Sequence, residues 1–143
     1  MTRRVLTLGW REWVALPDLS VEAIKTKVDT GARTSALHAV DIEPLSADQV
    51  AFSVISKPGA KPVYCTAPLI DQRAVKSSSG VAEERYVIAT SLQIASMRWR
   101  VEMTLTRRDD MRFRMLLGRS AMTDRIVVDP SASYLQGKRK RRS

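Results

Sequence analysis

Polar and apolar positions alternate with a period of two over much of the chain. In Ile24-Lys25-Thr26-Lys27-Val28, for example, residues 24, 26 and 28 share one face and the two lysines share the other. Such alternation marks strands with one face buried and one solvated. Short runs of this kind, bounded by turn residues, predict strands at Thr2 to Leu8, Trp10 to Leu16, Ala23 to Val28, Ala36 to Glu43, Gln49 to Ser56, Val63 to Leu69, Gln72 to Lys76, Glu83 to Ile94, Met97 to Thr106, Met115 to Leu117 and Ile126 to Val128. No stretch keeps helical periodicity for more than about three turns. The one helix expected is Gly118 to Thr123, where small and apolar residues follow a glycine. The fold class is therefore all-β, and many short strands with turns between them make a barrel or a sandwich. No internal repeat or low-complexity segment is visible.

Composition fits one folded domain. The chain has 143 residues, 44% hydrophobic and 27% charged, which are globular values and exclude a largely disordered protein. No apolar run approaches the roughly 18 residues of a membrane span, and the start lacks a sustained signal-peptide core, so no membrane association and a cytoplasmic location are expected. The single Cys65 has no internal disulfide partner, in keeping with a reducing compartment. Of the net charge of +9, five units come from Lys138, Arg139, Lys140, Arg141 and Arg142. Residues 1–137 are read as the domain and 138–143 as a basic, disordered tail, a solvated end in the simplest reading and a polyanion-binding arm in the sharper one. The remainder is still basic, so an acidic partner makes sense without the tail.

The strand at Ala23 to Val28 runs directly into Asp29-Thr30-Gly31-Ala32. A carboxylate at a tight turn after a strand is the way an aspartic peptidase presents its catalytic acid. That chemistry needs two carboxylates facing one water, because like charges at contact distance do not both ionise and the shared proton makes one group the base and the other the acid. Asp-x-Gly is also ordinary turn chemistry. Only one Asp-Thr-Gly is present, so a dyad requires two copies of the chain, most simply as a C2 homodimer.

Further downstream, Met115-Leu116-Leu117-Gly118-Arg119 is an apolar run ending in glycine. Taken in order, Gly9-Trp10-Arg11-Glu12-Trp13, Leu16-Pro17-Asp18, Lys27 to Ala39, Val75-Lys76-Ser77-Ser78-Ser79-Gly80 and Leu116-Leu117-Gly118-Arg119 resemble the bacterial family named ATP-dependent zinc proteases, which is retropepsin-like. The resemblance runs from about Gly9 to Tyr134. It implies a closed retropepsin-like β-barrel with a flap hairpin, a short helix after Gly118, and Asp29, Thr30 and Gly31 as the catalytic loop. Thr30 would bond the other subunit's loop, and Gly31 would let backbone approach the water. Ala32 lacks a hydroxyl that could donate to the carboxylate. Arg33 stands where viral retropepsins usually carry an acidic residue, so its subsite is expected to prefer acidic side chains. Arg73 to Gly80 would be the flap, with Arg73, Lys76, Ser77 and Ser78 over the substrate.

Neither zinc nor ATP in that family name finds support in the residues. A zinc hydrolase needs three protein ligands and an open position, and the chain has one His, one Cys and no His-Glu-x-x-His. His38 could be drawn together with Asp29, Asp41 or Glu43, but a lone His is more often structural. No Gly-rich phosphate loop occurs, so no metal and no cofactor are expected. The family's genes often accompany or are fused to a ligase that adds glutamates to a ribosomal protein. Resemblance and charge together imply a glutamate-tailed ribosomal protein, or another acidic peptide, as substrate and such a ligase as partner. A non-catalytic peptide-binding β-barrel is the alternative, and a zinc-dependent hydrolase a further one. Trp10, Trp13, Trp99, Phe52 and Phe113 are expected in the core.

Overall fold

The computed structural model describes residues 5–76, 80–107 and 112–137. Among these residues eleven strands appear in the order β1 (Leu6–Leu8), β2 (Arg11–Leu16), β3 (Val21–Asp29), β4 (Ser35–His38), β5 (Val40–Ser46), β6 (Gln49–Val54), β7 (Val63–Lys76), β8 (Ala82–Ile94), β9 (Met97–Thr106), β10 (Met115–Gly118) and β11 (Ile126–Val128), with one α-helix, α1 (Arg119–Met122). The sheet order β2-β3-β10-β4-β9-β8 closes on itself where Ala15 pairs with Gln93. The result is a six-stranded barrel, and closure removes the free edges an open sheet would expose.

Leu8, Leu16, Ile24, Leu37, Ile88, Leu92, Met103, Met115 and Leu117 are buried as one core. Each such side chain contributes about 1.5–3 kcal/mol relative to exposure. Alternation is clean in β2, where Glu12, Val14 and Leu16 point inward and Arg11, Trp13 and Ala15 are only half-buried. β4 departs from it, with all four residues buried.

Three strands extend from β8 as β7, β6 and β5. β5 is the edge; Asp41 at φ 53° and Pro44 both disturb regular pairing there, which protects an exposed edge from adding strands. The expected single strand from Ala36 to Glu43 is in fact two strands, split at Ala39 just before the left-handed Asp41. Conversely, the expected Val63 to Leu69 and Gln72 to Lys76 are one strand. β6 pairs with its residues 63–68 and β8 with its residues 69–76, where the irregularity between Leu69 and Asp71 is absorbed as a bulge. Pro17–Leu19 forms a 3₁₀ turn, with proline at its start. β1 and β11 pair with each other in parallel as a separate two-stranded sheet.

The Gly9 to Trp13 segment clamps the end of the described chain. Buried Glu12 accepts backbone N–H bonds from Gly9 (2.7 Å), Leu135 (2.8 Å) and Gln136 (3.1 Å). Arg11 lies over the rings of both Trp10 and Tyr134, and Trp13 stacks on Tyr134. Phe52, Phe113 and Trp99 are core residues as expected. Trp10 and Trp13 are half-buried instead, and form this clamp.

Candidate active site

β3 and β10 run parallel and in register through Met115↔Thr26, Leu116↔Lys27, Leu117↔Val28 and Gly118↔Asp29, so they end side by side. Asp29 is thereby placed at the end of a strand that is paired on both sides, while residues 30–34 turn away before β4 begins. Gly118 is next to this turn. A Cβ there would lie 2.6 Å from the carbonyl carbon of Thr34 and 2.9 Å from the nitrogen of Ser35, so only glycine fits. The Gly118 N–H donates to the Oγ of buried Ser35 at 2.9 Å.

Within the loop, the Gly31 N–H donates to Asp29 Oδ1 at 3.0 Å and the Ala32 N–H to the Asp29 carbonyl at 3.2 Å. The first turn of α1 completes the fastening: the N–H groups of Arg119 and Ser120 donate to the carbonyls of Ala32 (2.8 Å) and Arg33 (3.1 Å). The Arg119 guanidinium lies 3.3 Å from the Gly31 carbonyl. Asp29 is half-buried, and Thr30 and Gly31 are exposed at the surface of the single chain. The loop is therefore rigid where it meets the barrel and open where a second molecule could approach. Ser35, Arg119 and Ser120 escaped the sequence reading. Arg119 stood next to Gly118 in the quoted run, but nothing in the sequence said that its side chain turns back onto the loop.

Arg33, Arg73 and Lys76, distant in sequence, line one groove of about 530 Å³ together with Thr34, Ala74, Val75, Glu102, Thr104 and Ser120. The outer halves of β7 and β8, from Asp71 to Lys76 and Ala82 to Tyr86, pair with each other beyond the barrel. Among the described residues they have no further strand partner. This two-stranded arm is the segment expected to be the flap. Ser77 and Ser78 lie outside the described residues.

The charges in the groove are not equivalent. Arg73 bonds Asp71 at 2.7 Å and Glu102 at 3.2 Å. The hydrogen bond with Asp71 is the main cause that raises the guanidinium's pKa, and the same bond holds the Asp71 carboxyl below its ordinary value. Arg73 thus ties the arm to β9 and shares its charge with two carboxylates. Arg33 and Lys76 have no carboxylate at ion-pair distance among the described residues, so they supply the groove's available positive charge.

The residues weighed for a metal are not gathered into one site. His38 is fully buried in β4, whereas Asp41 and Glu43 are exposed on β5. Among the described residues no three His, Cys, Asp or Glu side chains cluster. Cys65 is buried, its Sγ 3.3 Å from the carbonyls of Leu19 and Val63, and burial pushes its pKa up to about 11. A thiol so shifted is a poor nucleophile. No helix among the described residues is long and apolar enough to cross a membrane.

A crystal structure of a Legionella pneumophila protein of unknown function (DUF785) superposes with a TM-score of 0.77 at 22% identity, over 91% of this chain and 97% of that one, which establishes the shared fold. Two relatives named probable alpha-L-glutamate ligase are closer in sequence. The protein from Shewanella pealeana is 43% identical over 97% of this chain and 31% of its own length, and that from Desulfotalea psychrophila 44% identical over 91% and 29%. The chain thus spans less than a third of the curated relatives it matches. A family model described as RimB-like, retropepsin-like aspartic endopeptidase RimB, matches residues 7–139. With nearly its whole length in that match and its barrel closed around the Asp29 and Gly118 strands, the chain belongs to the RimB-like family of retropepsin-like aspartic endopeptidases.

Proposed function

We propose that the chain is an aspartic endopeptidase that works as a C2 homodimer and hydrolyses glutamate-rich peptide tails, with Asp29 of each copy forming the dyad. The observation that carries this reading is the Asp29 loop. One carboxylate is held by Gly31 N–H at the end of a rigid strand pair, and the loop is exposed on the face where a symmetric copy would bring the second. In such a dyad one carboxylate takes a proton from a water as that water attacks the peptide carbonyl. The other carboxyl protonates the carbonyl oxygen and takes that proton back as the tetrahedral gem-diol collapses, while the first passes the proton it gained from water to the departing amine. No covalent intermediate forms.

Two features support an acidic substrate. Arg33 and Lys76 bring uncompensated positive charge to the groove beside the loop, and they would pair with carboxylates along an extended chain. The ligase name of the relatives points to glutamate as the shared chemistry. The substrate proposed is a polyglutamate tail added to a ribosomal protein in the cytoplasm, with the ligase that adds it as partner. The arm of β7 and β8 would close over the tail as a flap and bond its backbone.

The test is incubation of the protein with a peptide ending in several glutamates, with products read by mass spectrometry. Hydrolysis is expected, and Asp29→Asn should reduce it by more than about a hundredfold while leaving circular dichroism unchanged. Full activity in Asp29→Asn would refute the mechanism. Binding without cleavage by the wild-type protein would favour the peptide-binding barrel.

A further inference from the structure

A second groove, of about 330 Å³, opens beside the first and shares Glu102 and Ser120 with it; Trp99, Arg100, Val101, Ala121, Thr123 and Arg125 complete its wall. One side of it is β9. β4 pairs with this strand only at Met103–Thr106, so among the described residues Met97 to Glu102 have a neighbouring strand on the β8 side alone. Opposite stands α1, spaced from β9 by Trp99, whose buried indole N–H donates to the Ala121 carbonyl at 3.0 Å. Strand edge and helix thus bound a channel about 13 Å long, counting the four β9 residues from Trp99 to Glu102 at strand rise.

The channel's charge is positive where it is free. Arg125 is held over the Trp99 ring at 5.3 Å, a contact that fixes the guanidinium while its N–H groups stay in solvent. Arg100 is exposed on β9. Neither has a carboxylate at ion-pair distance among the described residues, whereas Glu102 is engaged by Arg73 and Arg98 by Asp18. A free strand edge offers backbone hydrogen bonds to an extended chain, and two guanidinium groups, that of Arg125 held in place and that of Arg100 free in solvent, select carboxylates on it.

We propose that the groove between β9 and α1 is an anionic-peptide subsite, which takes the part of an acidic chain that lies beyond the Arg33 groove and uses Arg100 and Arg125 to bind its carboxylates. The inference rests on the reading of the protein as a peptidase for glutamate-rich tails. It predicts that affinity grows with tail length past what the first groove can hold.

Fluorescence anisotropy of labelled peptides on the Asp29→Asn protein separates binding from turnover. Peptides of three and of ten glutamates, and a ten-glutamine control, serve as probes. The decaglutamate should bind several-fold tighter than the triglutamate, and the glutamine control weakly. Arg100→Gln with Arg125→Gln should weaken the decaglutamate about tenfold and the triglutamate less than twofold, and Arg125→Lys should restore part of the loss. Equal effects on both lengths, no effect on either, equal binding of the glutamine control, or no decaglutamate binding to Asp29→Asn would each overturn the subsite. Failure of the wild-type protein to cleave, with length-dependent binding intact, would instead count against the peptidase reading and leave the subsite standing.

Discussion

Single atoms decide whether the Asp29 loop keeps its shape, and Gly118 is the sharpest case. Its φ of −88° is open to any residue, so the demand for glycine comes from space: a Cβ would meet the Thr34 and Ser35 backbone, which is itself fixed by the bond from Gly118 N–H to Ser35 Oγ. Gly118→Ala should therefore cost about 3 kcal/mol in urea unfolding and displace the loop, with loss of any Asp29-dependent activity larger than the loss of stability explains. A variant as stable as wild type would show that the loop moves cheaply. At this scale the sequence was informative where a short motif has fixed local geometry. Asp29-Thr30-Gly31 and the glycine after Leu117 were both visible, and so was the charge of Arg33 and Lys76. It was silent about side chains whose role depends on distant partners. Arg73 read as one more cation, yet Asp71 and Glu102 engage it, and Glu102 is brought there only by the pairing of β8 with β9.

At the level of elements, hydrophobic alternation located nearly every strand, and Met97–Thr106 and Ile126–Val128 agree to the residue. The errors came where pairing, which is non-local, overrules local pattern: β7 stays continuous because β6 and then β8 run beside it, and β5 separates from β4 because the chain leaves the barrel to form a sheet edge. The Pro17–Leu19 turn is another such junction. Asp18 there accepts the Ser91 N–H at 3.1 Å and an Arg98 N–H at 3.1 Å, fastening the turn to the β8 and β9 hairpin. The hydrogen bond from Ser91, followed by the Arg98 charge, holds the Asp18 carboxyl below its ordinary value of 3.8. A carboxyl lowered in the folded state stabilises that state fully above its unfolded pKa, and the contribution fades as pH falls through the lower folded value. Asp18→Asn should accordingly be less stable than wild type at pH 7, with the difference shrinking below about pH 4. Because Asp18 is exposed, the effect should be small and weakened by salt. A difference in urea midpoint that stays constant from pH 7 to pH 2.5 would exclude ionisation as its origin.

The whole molecule, as a single chain, carries half of the proposed chemistry: one Asp29, half-buried, in a loop whose next two residues face solvent. Function through a dyad then makes activity a property of pairs. At protein concentrations well below the dimer dissociation constant the number of dimers rises as about the square of total chain, so specific activity should fall in proportion to dilution. Sedimentation velocity at the same concentrations should place the fall at the monomer–dimer transition. Mixing gives an independent measure: if wild-type and Asp29→Asn chains exchange freely in equal amounts, about a quarter of the dimers contain two intact aspartates, against the half expected if each chain worked alone. Activity that stays linear with concentration where sedimentation finds only monomer, or that falls only to half on mixing after full exchange, would mean that one Asp29 suffices. The acid would then have to come from within the chain, and the symmetric dyad would be abandoned.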